Sequence, residues 1–369
     1  MKTFISGGEA IGFSAIKGGI RFYAGYPITP ASGIYAYMIE NLPKVGGFAV
    51  GASDEISAIS YCIGASMRGL KSMTATSAPG FSLMIESIGY ALMTETPVLI
   101  VLCQRMGPST GAATSSSQGD LLFSIFSNSG GYSIPVFSPS SIKDAFYTTV
   151  HSINVSEILR TPVILLTEKE ITMTYETIDK EEIKFPEIHE RKYFDGENFK
   201  TYYFKELHDV PPFSPVGGKY RIMATGSAHD KEGFLKKDDP EVIEVLKHLN
   251  EKIVKNIEKF NIYEYYEGKE NLVITYGVTS KSVIDAYKKL KNEVGVLIMK
   301  LLYPVPSIFM KETLKKYKKI FVVEENLTGQ YADVLKMSGI LENKEVIKIN
   351  KIGDLISPSE IIEVIKKNG

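Results

Sequence analysis

The sequence predicts an α/β protein in which helices pack on parallel sheets. Two observations carry that reading. Short apolar runs bounded by Gly, Pro or Ser alternate with helix-forming segments through the first half of the chain. The same alternation returns near the C-terminus after a stretch of different texture. A length of 369 residues fits about two domains, taking roughly 150 residues for each.

In the first half, Phe22 to Ala24, Phe48 to Gly51, Ser72 to Thr76, Pro97 to Cys103, Tyr132 to Val136 and Pro162 to Thr167 read as strands. The later ones are apolar throughout, as strands buried on both faces are. Helices are expected over Gly8–Lys17, Ser32–Leu42, Asp54–Arg68, Ser82–Met93 and Ser140–Ile158. From about Ile171 the composition turns to Lys, Glu, Tyr and Pro, and 176–270 reads as a connector or interface arm with local structure. The second α/β region has strands over Leu272–Tyr276, Gly295–Lys300, Ile320–Glu324 and Val346–Ile349. Its helices are expected over Ser280–Asn292, Met310–Tyr317, Tyr331–Ser338 and Pro358–Lys367.

Composition narrows the function. The 42 Lys and Arg balance 43 Asp and Glu, which argues against a nucleic-acid partner. The strongest apolar run, Pro97 to Cys103, is too short for a membrane span, and the start of the chain lacks a secretory pattern. Two cysteines, Cys62 and Cys103, cannot ligate a four-thiolate iron–sulfur cluster. They read as buried free thiols in a reducing cytoplasm. The five histidines show no metal-ligand spacing, and no G-x-G-x-x-G is present. Gly107-Pro108-Ser109-Thr110-Gly111 fits the nucleophile-elbow pattern of serine hydrolases. That elbow needs a strand ending at the Ser and a helix directly after it. Here the strand ends near Cys103 and a Ser-rich loop follows.

Four segments fall after expected strands, where open α/β sheets place their ligands. Gly25-Tyr26-Pro27-Ile28-Thr29-Pro30 has two prolines that stiffen it and hold the Thr29 hydroxyl between them; a plain turn is the alternative. Ser53-Asp54-Glu55 can supply a cap at Ser53, and both acids suit a helix N-terminus without any further role. Thr76-Ser77-Ala78-Pro79-Gly80 reads as a small-residue loop before a helix, suited to an anion or a polar ring. Arg105 stands in a Ser/Thr/Gly loop in a chain with few arginines. It can hold a carboxylate in bidentate fashion or pair structurally with Asp120.

Taken together, these segments resemble the α subunits of the 2-oxoacid:ferredoxin oxidoreductases, the 2-oxoglutarate type above all. The resemblance runs through GYPITP at 25–30, SDEISA at 53–58, TATSAPGFSLM at 74–84, QRMGPSTG at 104–111 and QGDL at 118–121. It continues through ATGSAHDKEG at 224–233, YGVTSKS at 276–282, YPVPS at 303–307 and VEENLTGQ at 323–330. It implies a thiamine-diphosphate pyrimidine-binding parallel-sheet domain over 1–175, the arm over 176–270, and a smaller transketolase-C-terminal-like α/β domain over 271–369.

The resemblance also implies an activity: oxidative decarboxylation of a 2-oxoacid with CoA to acyl-CoA and CO2, reducing ferredoxin. The substrate of the closest type is 2-oxoglutarate; pyruvate and branched-chain 2-oxoacids are the alternatives. Pro27 would contact the pyrimidine end of thiamine diphosphate, Glu55 would hydrogen-bond its ring nitrogen, and Thr29 and Arg105 would hold the substrate. Gly119-Asp120-Leu121 lacks the last Gly of a GDG diphosphate motif, and Asp195-Gly196 lacks the first. A β subunit is therefore expected to bring the diphosphate and Mg²⁺ site. A CoA-linked γ chain and a ferredoxin-like δ chain with iron–sulfur clusters complete the expected cytoplasmic complex. A serine hydrolase using Ser109 and a non-catalytic assembly subunit stand as readings of other classes.

Overall fold

The computed structural model describes residues 2–291 and 293–368, with Lys180 described by its backbone alone. Asn292, the last residue of one expected helix, lies outside them, as do Met1 and Gly369 at the ends of the expected domains.

The chain opens with β1 (Lys2–Ser6) and a helix over Gly7–Lys17. Next come β2 (Ile20–Gly25), a helix over Ser32–Asn41, β3 (Phe48–Gly51) and a helix over Glu55–Met67. β4 (Lys71–Thr76), a helix over Ala78–Met93 and β5 (Val98–Gln104) follow. A long loop and a short helix, Leu121–Ile125, lead to β6 (Val136–Phe137), a helix over Ile142–Leu159, β7 (Pro162–Glu168) and β8 (Tyr175–Asp179). The remainder holds a helix over Pro240–Asn256, β9 (Tyr263–Tyr266), β10 (Asn271–Thr275), a helix over Thr279–Lys289, β11 (Val294–Met299) and β12 (Leu301–Tyr303). It ends with a helix over Ser307–Leu314, β13 (Lys319–Glu324), a helix over Gln330–Met337, β14 (Glu345–Asn350) and a helix over Pro358–Asn368.

The large sheet has the order β12-β6-β7-β5-β4-β2-β3, and all its pairings are parallel except β12 on β6. β5 lies near its centre and every one of its residues is buried. Leu99, Val101 and Cys103 face one core, while Val98, Ile100 and Leu102 face the other. That period of two with both faces apolar is the signature of a sheet covered on two sides. Both cysteines are free and buried, and burial pushes the Cys62 thiol up to about 12. β3 is one of the two edge strands, which explains its half-exposed residues.

The second sheet has the order β14-β13-β10-β11-β9. One of its faces, through Leu272, Ile274, Leu297 and Val322, joins the same core as Ile100 and Leu102 of β5. The strand expected over Gly295–Lys300 is found as Val294–Met299, and past Lys300 the chain forms a further strand that the sequence reading did not foresee. Val294–Met299 stays in the second sheet and Leu301–Tyr303 crosses to the edge of the first. Lys300 sits at the crossing, with Nζ 2.6 Å from Asp144 Oδ1 and 2.8 Å from Glu264 Oε1.

The stretch 176–270 has more order than its composition suggests. β8 pairs with β1, and the 17-residue helix Pro240–Asn256 lies within it, with Asp239 as its N-cap. Two charged side chains of this stretch, Arg191 and Lys252, are buried against the first domain. Arg191 is bidentate to Glu157 at 2.6 and 2.7 Å, and its guanidinium lies over Phe213. Lys252 reaches Glu95 Oε2 at 2.5 Å, with both side chains fully buried. Burial opposes the charge on Glu95, but Lys252, His248 and Arg160 beside it outweigh that and hold its carboxyl far below the usual carboxylate range. Removing one partner of such a pair strands the other in a medium of low dielectric. Lys252→Met is therefore expected to cost about 3–5 kcal/mol in chemical denaturation. The double variant Glu95→Gln/Lys252→Met recovers most of the loss, and equal instability of the two variants would contradict this account.

Candidate functional site

The loops after β2, β3, β4 and β5 leave neighbouring strands, in the spatial order β5-β4-β2-β3. The chain steps one way from β2 to β3 and the other way from β4 to β5. The switch point lies between β2 and β4, where open α/β sheets form a crevice.

The loop after β2 carries Pro27, which is exposed, and Thr29, which is half-buried. After β3, the helix cap is Asp54 and not Ser53: Asp54 Oδ1 accepts from the Ser57 amide at 2.7 Å. A cap of this kind stabilises the helix by about 1 kcal/mol, and it fixes Glu55 as the first helical residue. Glu55 is only 6% exposed. Among the described residues, no hydrogen bond or ion pair engages its carboxylate.

The segment expected as a loop after β4 is instead the first turn of a helix, which begins at Ala78. Pro79 suits that turn because the amide it lacks has no helical partner there. Gly80 meets the Glu55 side chain: a Cβ on it would lie 2.3 Å from Glu55 Oε1 and 2.2 Å from Thr76 Oγ1. Beside it, the buried Ser77 hydroxyl has no partner. A glycine and two uncommitted polar groups thus meet at one helix N-terminus.

Arg105 follows β5 and is 5% exposed. Its Nη1 donates to the Thr29 carbonyl at 2.5 Å, and its Nε is buried without a partner. Thr29 and Arg105 are therefore brought into direct contact, although through the Thr29 backbone. Asp120 feels the Arg105 charge, but no direct ion pair joins them among the described residues. Ser109 sits at φ 55 in a tight turn closed by a Met106–Ala112 bridge. Gly111 is needed in that turn, since a Cβ there would strike the Met106 carbonyl at 1.8 Å. No histidine or acid bonds to the Ser109 hydroxyl among the described residues, and neither strand nor helix flanks it. The hydrolase pattern is a turn.

The 104–121 loop is tied to the second sheet through Gln118, which sequence reasoning passed over. Its Nε2 donates to Glu168 Oε1 at 2.8 Å and to the Tyr276 carbonyl at 3.2 Å. Its Oε1 accepts from the Glu325 amide at 2.8 Å and from Thr279 Oγ1 at 3.1 Å. Its own amide donates to the Glu325 carbonyl at 2.7 Å. Gly277 makes room for this cluster, because a Cβ there would lie 1.8 Å from Glu168 Oε1. The one visible signal was an acid, Glu168, ending the otherwise uncharged run PVILLTE. A cavity of about 490 Å³ opens between this loop, the start of the Ala78–Met93 helix, and the turns that carry Leu327 and Ile352.

Against known proteins, residues 14–247 match the thiamine-diphosphate-binding domain of pyruvate flavodoxin/ferredoxin oxidoreductases. Residues 270–361 match core domain II of pyruvate:ferredoxin oxidoreductase. The fold and its crevice define a thiamine-diphosphate-binding oxidoreductase subunit. The chain belongs to the 2-oxoacid:ferredoxin oxidoreductase family, as an α-type subunit that works within a complex.

It is 37% identical to the 2-oxoglutarate synthase subunit KorA of Methanocaldococcus jannaschii, over 97% of both chains. It is 32% identical to the 2-oxoacid:ferredoxin oxidoreductase subunit alpha of Saccharolobus solfataricus, over 99% of this chain and 61% of that one. Among solved structures, a 2-oxoglutarate:ferredoxin oxidoreductase from Magnetococcus marinus matches with a TM-score of 0.91 and 32% identity, over 99% of this chain. The present chain spans 65% of that one. A split-gene transketolase at 14% identity and a TM-score of 0.57 shares the fold. Among the described residues, no helix is long and apolar enough to cross a membrane.

The Gln118 cluster, a latch between the loop and the second sheet, has a pH signature. Burial pushes Glu168 up to about 8, against the pull of its Gln118 hydrogen bond. Burial likewise pushes Glu325 up to about 7. In the unfolded chain, Glu168 ionises near its ordinary value of 4.5. Between that value and about 8, the folded state holds the extra proton, so stability falls as pH rises. Glu168→Gln is expected to flatten part of that fall in thermal melts taken from pH 5 to 8. An unchanged slope would place the Glu168 proton elsewhere.

Proposed function

We propose that this chain supplies the pyrimidine side of the active site of a 2-oxoacid:ferredoxin oxidoreductase that converts 2-oxoglutarate and CoA to succinyl-CoA and CO2, passing the two electrons released to ferredoxin. The observation that carries the site assignment is the buried, uncommitted carboxylate of Glu55, set against Gly80 in the crevice between β2 and β4. The residues present fit thiamine diphosphate. Glu55 is a carboxylate available to a ring nitrogen, the Ser77 hydroxyl is free, and Pro27 is exposed on the loop alongside. When bound, thiamine diphosphate supplies the electron sink for decarboxylation of a 2-oxoacid.

The chain's own residues then have distinct tasks. Glu55, whose side chain is buried at the helix start, would share a proton with the ring nitrogen through its carboxylate. Arg105 orients the 2-oxoacid carboxylate, with its guanidinium steadied by the Thr29 carbonyl. The Thr29 hydroxyl, which has no partner among the described residues, is left for the substrate carbonyl. A carboxylate that leaves as CO2 must be held for orientation rather than for affinity, which suits a single cation.

Diphosphate, Mg²⁺ and iron–sulfur clusters belong on partner chains: a β subunit, a CoA-linked γ chain and a ferredoxin-like δ chain. Exposed apolar side chains past the carboxyl ends of strands in both sheets, Tyr26, Ile56, Leu83, Leu327 and Ile352, support a covering β subunit. Two buried thiols suit a cytoplasmic setting. In the complex assembled with its cognate subunits, Glu55→Ala is expected to lower 2-oxoglutarate turnover by about 10²–10⁴-fold while assembly persists. Normal turnover of an intact Glu55→Ala complex would instead identify a non-catalytic assembly subunit. Pyruvate and branched-chain 2-oxoacids serve as the competing substrates in the same assay.

A further inference from the structure

Asp120 is the buried acid at the site that the proposed reaction does not use. It is 8% exposed and stands at the start of the short helix Leu121–Ile125, yet its side chain caps nothing. Its backbone is pinned, since its amide donates to Gln104 Oε1 at 3.0 Å. Two residues along the chain, the backbone is pinned from the second domain, because Gln330 Oε1 accepts from the Leu122 amide at 2.9 Å. Asp120 Oδ2 is buried with no partner, and so is Nε of Arg105. Asp120 also lines the 490 Å³ cavity. Burying two complementary polar groups without joining them is costly. A rigid arrangement that holds an acid in the field of an arginine, without letting the two pair, leaves the arginine open to a third group.

We propose that Asp120 is a positioning residue for Arg105, one whose charge offsets that of the guanidinium and so sets how tightly the carboxylate of the 2-oxoacid is held. The inference rests on Arg105 being the substrate-binding cation of the proposed function. An ionised Asp120 lowers the positive potential at Arg105 and repels an incoming carboxylate. A protonated Asp120 leaves the full charge of Arg105 to the substrate.

The acid is poised to change state near neutrality. Burial pushes it up to about 7, with Arg105 pulling it down. Arg105 is the charged group whose field reaches it among the described residues, and the facing side chains Ser82, Ser109, Ser117 and Gln330 are neutral. Substrate binding therefore favours the protonated acid, and by linkage protonation favours binding.

The test uses the complex assembled with its cognate subunits. KM and kcat for 2-oxoglutarate are measured from pH 6 to 8.5 for the native complex and for the Asp120→Asn, Asp120→Glu and Arg105→Lys variants. A parallel titration measures equilibrium binding of the 2-oxoacid to each complex. For the native complex, KM rises with pH above about 7, approaching tenfold per pH unit. With Asp120→Asn, KM is low and its pH slope is lost, and KM changes by a larger factor than kcat. Asp120→Glu, which keeps the charge, restores a pH-dependent KM and stands in if the Asn variant fails to assemble. An Asp120→Asn complex that keeps the native pH slope, while Arg105→Lys weakens binding, overturns the role of Asp120 alone. An Arg105→Lys complex with native KM and binding overturns the substrate assignment beneath it.

Discussion

One buried side-chain amide, that of Gln118, holds the two halves of this molecule in register. The loop that follows β5 carries Arg105, Ser109 and Asp120 and has little secondary structure of its own. Left to itself, it would sample many conformations, and Arg105 would move with it. Gln118 removes that freedom by satisfying both ends of its amide on groups from β7 and the second domain. Its backbone carbonyl accepts from Tyr276 Oη and Asn326 Nδ2 as well. A buried amide with all its bonds made is strongly directional, because any shift leaves several polar atoms unpaired at once. The second sheet thus contributes geometry to a site whose reacting groups lie on the first.

The same dependence explains why the two sheets share one core. Leu272 and Val322 pack into the cluster that holds Ile100 and Leu102, and β12 leaves the second sheet to extend the first. The arm adds its own ties through Arg191–Glu157 and Lys252–Glu95. A crevice shaped by loops needs a rigid frame, and here the frame is built from three stretches of sequence rather than one domain.

Much of this was legible from the residues alone. Most strands of both sheets follow from apolar runs between breakers, although β9 and β12 were not expected and β6 lies at Val136–Phe137 rather than over Tyr132–Val136. Glu55, Thr29 and Arg105 were singled out by their places after strands. Three kinds of feature were not legible. The helix over Pro240–Asn256 was hidden because its lysines and glutamates look like a solvated tract, although Val242, Val245, Leu249 and Ile253 are buried. The start of the Ala78–Met93 helix was misplaced because Pro79 and Gly80 read as breakers. Gly80 is there for the Glu55 side chain, and Pro79 is tolerated in a first turn. The partners of Gln118 lie at positions 168, 276, 279 and 325, and no local pattern connects them.

The chemistry of the latch also protects the chemistry of the site. Loops at a protein interior can be fixed by ion pairs or by neutral hydrogen bonds. In a medium of low dielectric, fixed charges act over many ångströms. An arginine in the place of Gln118 could pair with Glu168 and hold the loop as firmly. It would also put a second cation behind the crevice, and its field would hold the departing carboxylate as well as orient it. The neutral amide avoids this, and burial disfavours charge on Glu168 and Glu325. Arg105 is left as the cation of the loop between β5 and β6, so its field is set by what stands beside it rather than by the scaffold. A site that must orient a carboxylate without trapping it gains from a frame that is rigid and electrically quiet.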